Sequence, residues 1–140
     1  MTHSIHTSPY GTYTVSETEK GISEISFTKT LKKTGMMKRE DIDFSNPKKY
    51  VLDLQGTPFQ KLVWKALMKI KPGQIKTYRQ VAEMIGRPTA VRAVASAIAR
   101  NNIAILVPCH RVIRADGKIG EFRWGSKMKA LLLQSEGVRV

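Results

Sequence analysis

Two Thr-x-x-Gln patterns, Thr57-Pro58-Phe59-Gln60 and Thr77-Tyr78-Arg79-Gln80, fix where helices begin in the second half of this chain. In such a capping box the threonine hydroxyl accepts from the backbone N–H three residues on, and the glutamine side chain reaches back to the threonine N–H. Pro58 suits a first helical turn, which needs no donor there. Phe59, Val63, Leu67 and Ile70 then recur at helical spacing, and Pro72-Gly73 ends the helix. Trp64 lies off that stripe and needs another neighbour. The second box opens a short helix through Val81, Ala82, Met84 and Ile85, closed by Gly86. Pro88-Thr89 starts a third, from Ala90 to about Asn101. Helix, tight turn and helix over about 25 residues have the size of a helix-turn-helix.

The third helix is thin. Ala90, Ala93, Ala95, Ser96, Ala97 and Ala99 dominate it, and Arg92 and Arg100 are its only charges. It is either a tightly packed internal helix or a slim recognition helix able to enter even a minor groove. Lys plus Arg number 24 against 11 acidic residues, a formal charge of +13, which favours a polyanionic partner. Nucleic acid comes first and an anionic membrane surface second. No apolar run is long enough to span a bilayer, and residues 1–10 lack the apolar stretch of a secretory signal. A single cysteine fits a reducing intracellular compartment, cytoplasmic or nuclear. His3, His6, His110 and Cys109 have no ligand-like spacing, so no metal is expected.

Elsewhere the signals are weaker. Residues 1–8 read as a flexible leader, and 9–30 as a β-hairpin turning at Glu19-Lys20-Gly21, with Ile25 and Phe27 on one face. Residues 28–50 form a polar, lysine-rich connector without a strong element. The expected boundary separates a shortened N-terminal β-hairpin domain with its basic connector, 1–52, from a helical domain, 53–140. Ile103 to Val107 reads as a buried strand or extended segment. Asp116-Gly117 is a hairpin turn signal between Val112-Ile113 and Lys118-Ile119. Gly120 to Gly125 suits a bent loop over a pocket. Ser126 is placed to cap a last helix running to Glu136, with Gly137 ending it.

The lone cysteine, in Val107-Pro108-Cys109-His110-Arg111-Val112, is either a core residue or a reactive thiol. A thiol attacks as thiolate, so its pKa must fall, and His110, Arg111 and Arg114 are the nearby base and positive charges. Neighbours on an extended chain point to opposite faces, so Cys109 meets His110 only if the backbone turns at Pro108, or through a bridging water. A nucleophilic thiol beside a DNA-gripping module suggests covalent chemistry on a base, which must first leave the stack. Trp124, Phe122 and Tyr78 can stack or cover, and Arg92 can fill the gap.

Taken together, the ordered blocks Gly56-Thr57-Pro58-Phe59-Gln60, Val63-Trp64, Thr77 to Ala82, Ala90 to Val94, Asn101, Pro108 to Val112, Gly120 to Gly125 and Glu136-Gly137 resemble the O6-alkylguanine-DNA alkyltransferases over residues 53–138. The resemblance implies an α/β protein: a reduced RNase H-like N-terminal part, then a helical, winged-helix-like DNA-binding domain. It implies direct-reversal DNA repair, with one alkyl group moved from guanine O6 to Cys109 per molecule. His110 is then the base acting through a water, Glu136 the carboxylate that orients it, and Asn101 the organiser of the turn. Tyr78 aids flipping and donates a proton toward guanine N3, and Arg92 replaces the extruded nucleotide. Thr89, Ala90, Ala93, Ser96 and Arg100 would line the minor groove of double-stranded DNA, together with Tyr78 and Arg92. Pro108, Val112, Gly120, Glu121, Phe122, Arg123 and Trp124 would line the substrate pocket. No cofactor is implied, and the expected state is a monomer. Phe122 stands where the family usually has tyrosine, and Glu121 puts a negative charge at the pocket rim. Two other readings stand beside this one. Alkyltransferase-like lesion binders lack the acceptor cysteine that this chain keeps, and a helix-turn-helix regulator predicts sequence-specific binding with no covalent change.

Overall fold

The computed structural model describes residues 2–27 and 39–140, a mixed α/β chain. The part of the basic connector at 28–38 lies outside the described residues.

Two compact units can be distinguished. One is built from residues up to Gln55 together with Asn102–Leu106. Its sheet has three antiparallel strands in chain order: β1 (Thr2–Ser8), β2 (Gly11–Thr18) and β3 (Gly21–Phe27). The hairpin expected from the sequence is β2–β3. Residues 2–8 are not a leader but a full strand paired along its length with β2. Its inward positions, Ser4 and His6, are polar and buried, so no alternation of apolar residues announced it. They satisfy one another: His6 Nε2 lies 2.7 Å from Ser4 Oγ, and His6 Nδ1 lies 2.7 Å from Asp41 Oδ1. The His6 ring stacks on Tyr13, whose hydroxyl accepts the Ile42 N–H.

The Ile103–Val107 stretch is not a strand either. Ile103 makes a single parallel bridge to Ile25, and the chain then turns through Ala104–Leu106, with Ile105 at a φ of 69°. The run is apolar because this turn is buried.

The other unit comprises Gly56–Asn101 and Val107–Val140. Helix α1 (Pro58–Leu67) starts with the full Thr57–Gln60 capping box. It stops at Leu67 rather than running to Ile70, because Ile70 N–H turns back to the Leu67 carbonyl; Ile70 is nonetheless buried. Trp64 finds its neighbour in the third helix, where its indole N–H donates to the Ala97 carbonyl at 2.8 Å. Gly56 is required beside it, since a Cβ there would sit 2.6 Å from the Trp64 ring.

The short strand β4 (Lys76–Thr77) leads into α2 (Tyr78–Met84), capped by the second box, Thr77–Gln80. Helix α3 (Val91–Ala99) begins later than Pro88-Thr89 suggests, with Ala90 at its cap and no side-chain cap bond. The strand β5 (Val112–Ile113) pairs in parallel with β4, not with Lys118-Ile119. The Asp116-Gly117 turn is instead closed by Arg114 N–H to Lys118 O at 3.0 Å. Helix α4 (Ser126–Ser135) is entered through Gly125, at a φ of 103°, so Ser126 is its first residue and not its cap. One face of α4 carries Lys129, Leu132 and Leu133, and Glu136, the residue that caps the helix at its C-terminal end, continues the same i, i+3, i+4 and i+7 stripe. Leu132 and Leu133 are core residues, and a charge stands at each end of the stripe.

Candidate active site

After Pro108 the backbone tightens into one turn of 3-10 helix, Cys109–Arg111. Successive side chains therefore fan out by about a third of a turn instead of alternating as on a strand. Cys109 is 4% exposed. Its Sγ accepts a hydrogen bond from Asn101 Nδ2 at 3.2 Å, and the same amide donates to the Val107 carbonyl at 3.0 Å. Asn101 thus ties the sulfur to the segment that carries it. Its own carbonyl accepts from Arg123 Nη1 at 2.8 Å, which anchors the Gly120–Gly125 loop at the same residue.

Burial pushes the Cys109 thiol up to about 11, against the Asn101 bond and the positive charges of Lys129 and Arg123. The resting sulfur therefore carries its proton. This corrects the expectation that Arg111 and Arg114 supply the field: Arg111 is committed to Glu136, and Arg114 pairs with Asp116.

His110 is fully buried. Its Nε2–H donates to Glu136 Oε2 at 3.1 Å. Glu136 also takes the Arg111 guanidinium in a fork, with Nε to Oε1 at 3.0 Å and Nη2 to Oε2 at 2.6 Å, while Arg111 Nη1 holds the Ile70 carbonyl at 2.7 Å. Burial of Glu136 works against ionisation, but the His110 and Arg111 bonds outweigh it and bring its pKa down to about 2. An ionised carboxylate only accepts, so the imidazole proton sits on Nε2. Burial also holds His110 below its ordinary pKa, so the ring is neutral at pH 7. Its Nδ1 has no hydrogen-bond partner among the described residues and keeps its lone pair. A neutral imidazole with one nitrogen fixed by a carboxylate and the other free is the arrangement of a general base.

Two roles were missed by sequence reasoning. Arg111 is the clamp on Glu136. Lys129 is completely buried, and its Nζ donates to the Val112 carbonyl at 2.6 Å and the Glu121 carbonyl at 3.2 Å. It joins the strand after Cys109 to the covering loop. Burial brings its pKa down to about 8. A signal for Lys129 existed: it shares the stripe of α4 with Leu132 and Leu133, where a lysine must find carbonyls or a counter-charge.

The loop carries Phe122 edge-on to Trp124, with ring centroids 5.3 Å apart, and Arg123 over the Trp124 ring. Gly120 has a φ of 75°, and a Cβ there would lie 3.2 Å from Arg114 Cγ and 3.6 Å from the Tyr78 hydroxyl. Tyr78 therefore reaches the loop. Burial and the charges of Cys109 and Glu121 raise its pKa, so its hydroxyl stays a donor. Pro108 and Val112 are buried around Cys109, while Glu121 is exposed.

Helix α3 packs Val94, Ala97 and Ile98 inward and leaves Arg92, Ala93, Ser96, Ala99 and Arg100 exposed. Arg92, Ser96 and Arg100 recur every four residues on this outer face, interleaved with alanine. Thr89 is exposed just before it, and Ala90 is half-buried. Arg92 and Tyr78 line one cleft.

This geometry has relatives. Residues 58–138 match the family described as 6-O-methylguanine DNA methyltransferase, DNA binding domain. The Escherichia coli bifunctional transcriptional activator/DNA repair enzyme Ada is 54% identical over 85 residues, 61% of this chain, and this chain spans only 24% of its length. A methylated-DNA–protein-cysteine methyltransferase of Methanosarcina barkeri is 37% identical over 97% of both chains. Among solved structures, Mycobacterium tuberculosis OGT in complex with DNA superposes with a TM-score of 0.84 at 32% identity, over 97% of this chain and 92% of that one. With its helical unit matched from Pro58 to Val138 and a relative alike from end to end, this chain belongs to the 6-O-methylguanine DNA methyltransferase family.

Proposed function

We propose that this protein repairs alkylated DNA directly, moving the alkyl group from O6 of a flipped guanine to Cys109 Sγ in one turnover. The observation that carries the reading is a buried sulfur held by Asn101, next in sequence to a neutral imidazole fixed by Glu136. Proton removal by His110 Nδ1, through one water, makes the thiolate. The S–C bond forms as the O6–C bond breaks, and the guanine leaves as its anion. The Tyr78 hydroxyl gives that anion a proton, and the proton held by His110 closes the balance, so no cofactor is consumed. Sγ ends as a thioether, which no group in the site can reverse, so each molecule acts once.

The partner in this reading is double-stranded DNA, met by a monomer inside the cell. The face of α3 that carries Arg92, Ser96 and Arg100 is slim enough for a minor groove, where A·T and G·C are the main distinction. A repair protein that accepts any sequence has no use for finer readout.

The test is the mass of the intact protein after exposure to duplex DNA containing O6-methylguanine. The expected result is a gain of one methyl group in the wild type and none in Cys109→Ala. An unchanged wild-type mass sinks the transfer. Arg92→Ala is expected to slow repair in duplex by about ten-fold or more, at the level of a few kcal/mol for unstacking a base. Reaction with the soluble free base O6-benzylguanine should be affected far less, because nothing needs extruding. Equal losses on both substrates would remove the gap-filling role.

A further inference from the structure

A cleft of about 700 Å³ opens between the starts of α2 and α3 and the turn after β5. Its charged lining is Arg79, Arg92, Arg114 and Asp116: three guanidinium groups and one carboxylate. Arg79 and Arg92 make no ion pair among the described residues. Arg114 does, with its Nη2 2.9 Å from Asp116 Oδ2 and both side chains about half exposed. The other Asp116 oxygen accepts the Lys118 N–H at 3.0 Å, and the turn is closed by Gly117 N–H to Arg114 O at 3.1 Å. The carboxylate is therefore held in place by its backbone while the guanidinium is free to leave it. The stem of Arg114 passes beside Gly120 of the covering loop.

A concave, half-exposed seat with three guanidinium forks suits a phosphodiester, whose two free oxygens match the fork as a carboxylate does. The cleft also holds Tyr78 and Arg92, the residues that the proposed function sets at the extruded nucleotide, and the inference rests on that reading. We propose that this cleft seats the DNA backbone phosphate beside the extruded nucleotide, with Arg114 as its ligand, and that Asp116 is a built-in competitor. In the free protein the carboxylate occupies the fork that the phosphate takes. A duplex that brings this phosphate to the seat must first displace the carboxylate, so its grip is weaker than a free Arg114 would give.

The measurement is binding of Asp116→Asn, Arg114→Ala and the double variant, all in a Cys109→Ala background that cannot react, to a short duplex containing O6-methylguanine over a range of salt. The amide oxygen introduced by Asp116→Asn still accepts the Lys118 N–H, so the turn survives. Asp116→Asn is expected to bind about two- to five-fold tighter, the scale of a half-exposed ion pair. Arg114→Ala should bind more weakly, with its logarithmic salt slope shallower by about one phosphate contact. In the Arg114→Ala background the gain from Asp116→Asn should vanish. An equal gain with and without Arg114 would mean a general charge effect and overturn the proposal. Methyl uptake by the wild type is followed alongside. If uptake occurs and the variants simply add, only the competitor role falls; if the wild type neither binds duplex nor takes up methyl, the repair reading beneath it falls as well.

Discussion

Glu136→Gln is expected to leave a folded protein that takes up methyl at least about a hundred-fold more slowly than the wild type. Glu136 accepts three charge-assisted or ring N–H bonds through two oxygens. Glutamine offers one acceptor oxygen, and its NH2 must face either Arg111 or His110, both donors. If the NH2 faces Arg111, that nearly buried guanidinium keeps only the Ile70 carbonyl; if it faces His110, the ring loses its acceptor. Removing one partner of such a pair costs about 3 kcal/mol or more. That is a large share of the 5–15 kcal/mol of a typical domain, but not all of it. The rate loss has a different origin. Without an ionised acceptor at Nε2, the imidazole proton is free to move to Nδ1, which removes the base, and general bases contribute about 10²–10⁴-fold. Single-turnover kinetics with O6-methylguanine duplex, beside a thermal melt, separate the two effects. A variant within a few-fold of the wild-type rate would show that the carboxylate serves stability alone.

The same cluster gives the protein an acid limit. Glu136 has a folded pKa of about 2, below its usual value, so its contribution is present above the ordinary carboxylate range and is lost as pH falls toward 2. His110 is depressed by burial, so unfolding takes up a proton as pH drops below the ordinary histidine range. Both act in one direction: stability falls with acid, first through the histidine and then through the carboxylate.

How much of this could be read from the chain depended on how far apart the partners lie. Each capping box closes within four residues, and both stand where the sequence puts them. The β2–β3 hairpin is equally local. Strand β1 was missed because its buried side is Ser4 and His6, and the group that makes a buried histidine tolerable, Asp41, lies 35 residues away. The family pattern names Cys109, His110, Asn101, Tyr78 and Glu136; the structure joins Asn101 to the Cys109 sulfur and Glu136 to the His110 ring, and their roles are part of the proposal. The raised thiol pKa was not legible, because it reflects burial by the whole unit rather than the string of cations around Cys109. Arg111 read as a source of field; only the position of α4 makes it the clamp on Glu136.

Lys129→Met is expected to slow reaction of Cys109 with soluble O6-benzylguanine by about ten-fold or more at neutral pH, with little change in melting temperature. Methionine has nearly the length of lysine and carries no charge to desolvate, and replacing a buried charge by an apolar side chain of similar volume is often close to neutral for stability. Against that stand the two carbonyls, of Val112 and Glu121, that lose their donor, at about 1–3 kcal/mol for each left unsatisfied. These effects oppose one another. Chemistry is not protected in the same way. Burial is the largest influence on the thiol and drives its pKa up, and Lys129 is one of the positive charges that work against it. A nearby opposite charge is worth about 1–3 pKa units, hence the ten-fold. The pH dependence carries the argument further. Lys129 itself loses its proton near pH 8, because burial has brought it down from the usual lysine value. The wild-type advantage should thus be widest at neutral pH and close as pH rises through about 8, where the wild type is also uncharged at this position. Stability should move the other way: with a folded pKa below the unfolded one, the unfolded chain holds the extra proton between about 8 and the ordinary lysine value, so this group makes the wild type gain stability as pH rises there, a gain absent from Lys129→Met. A rate ratio that stays flat across this range would mean that the lysine only ties the loop to β5, and that the sulfur does not depend on its charge.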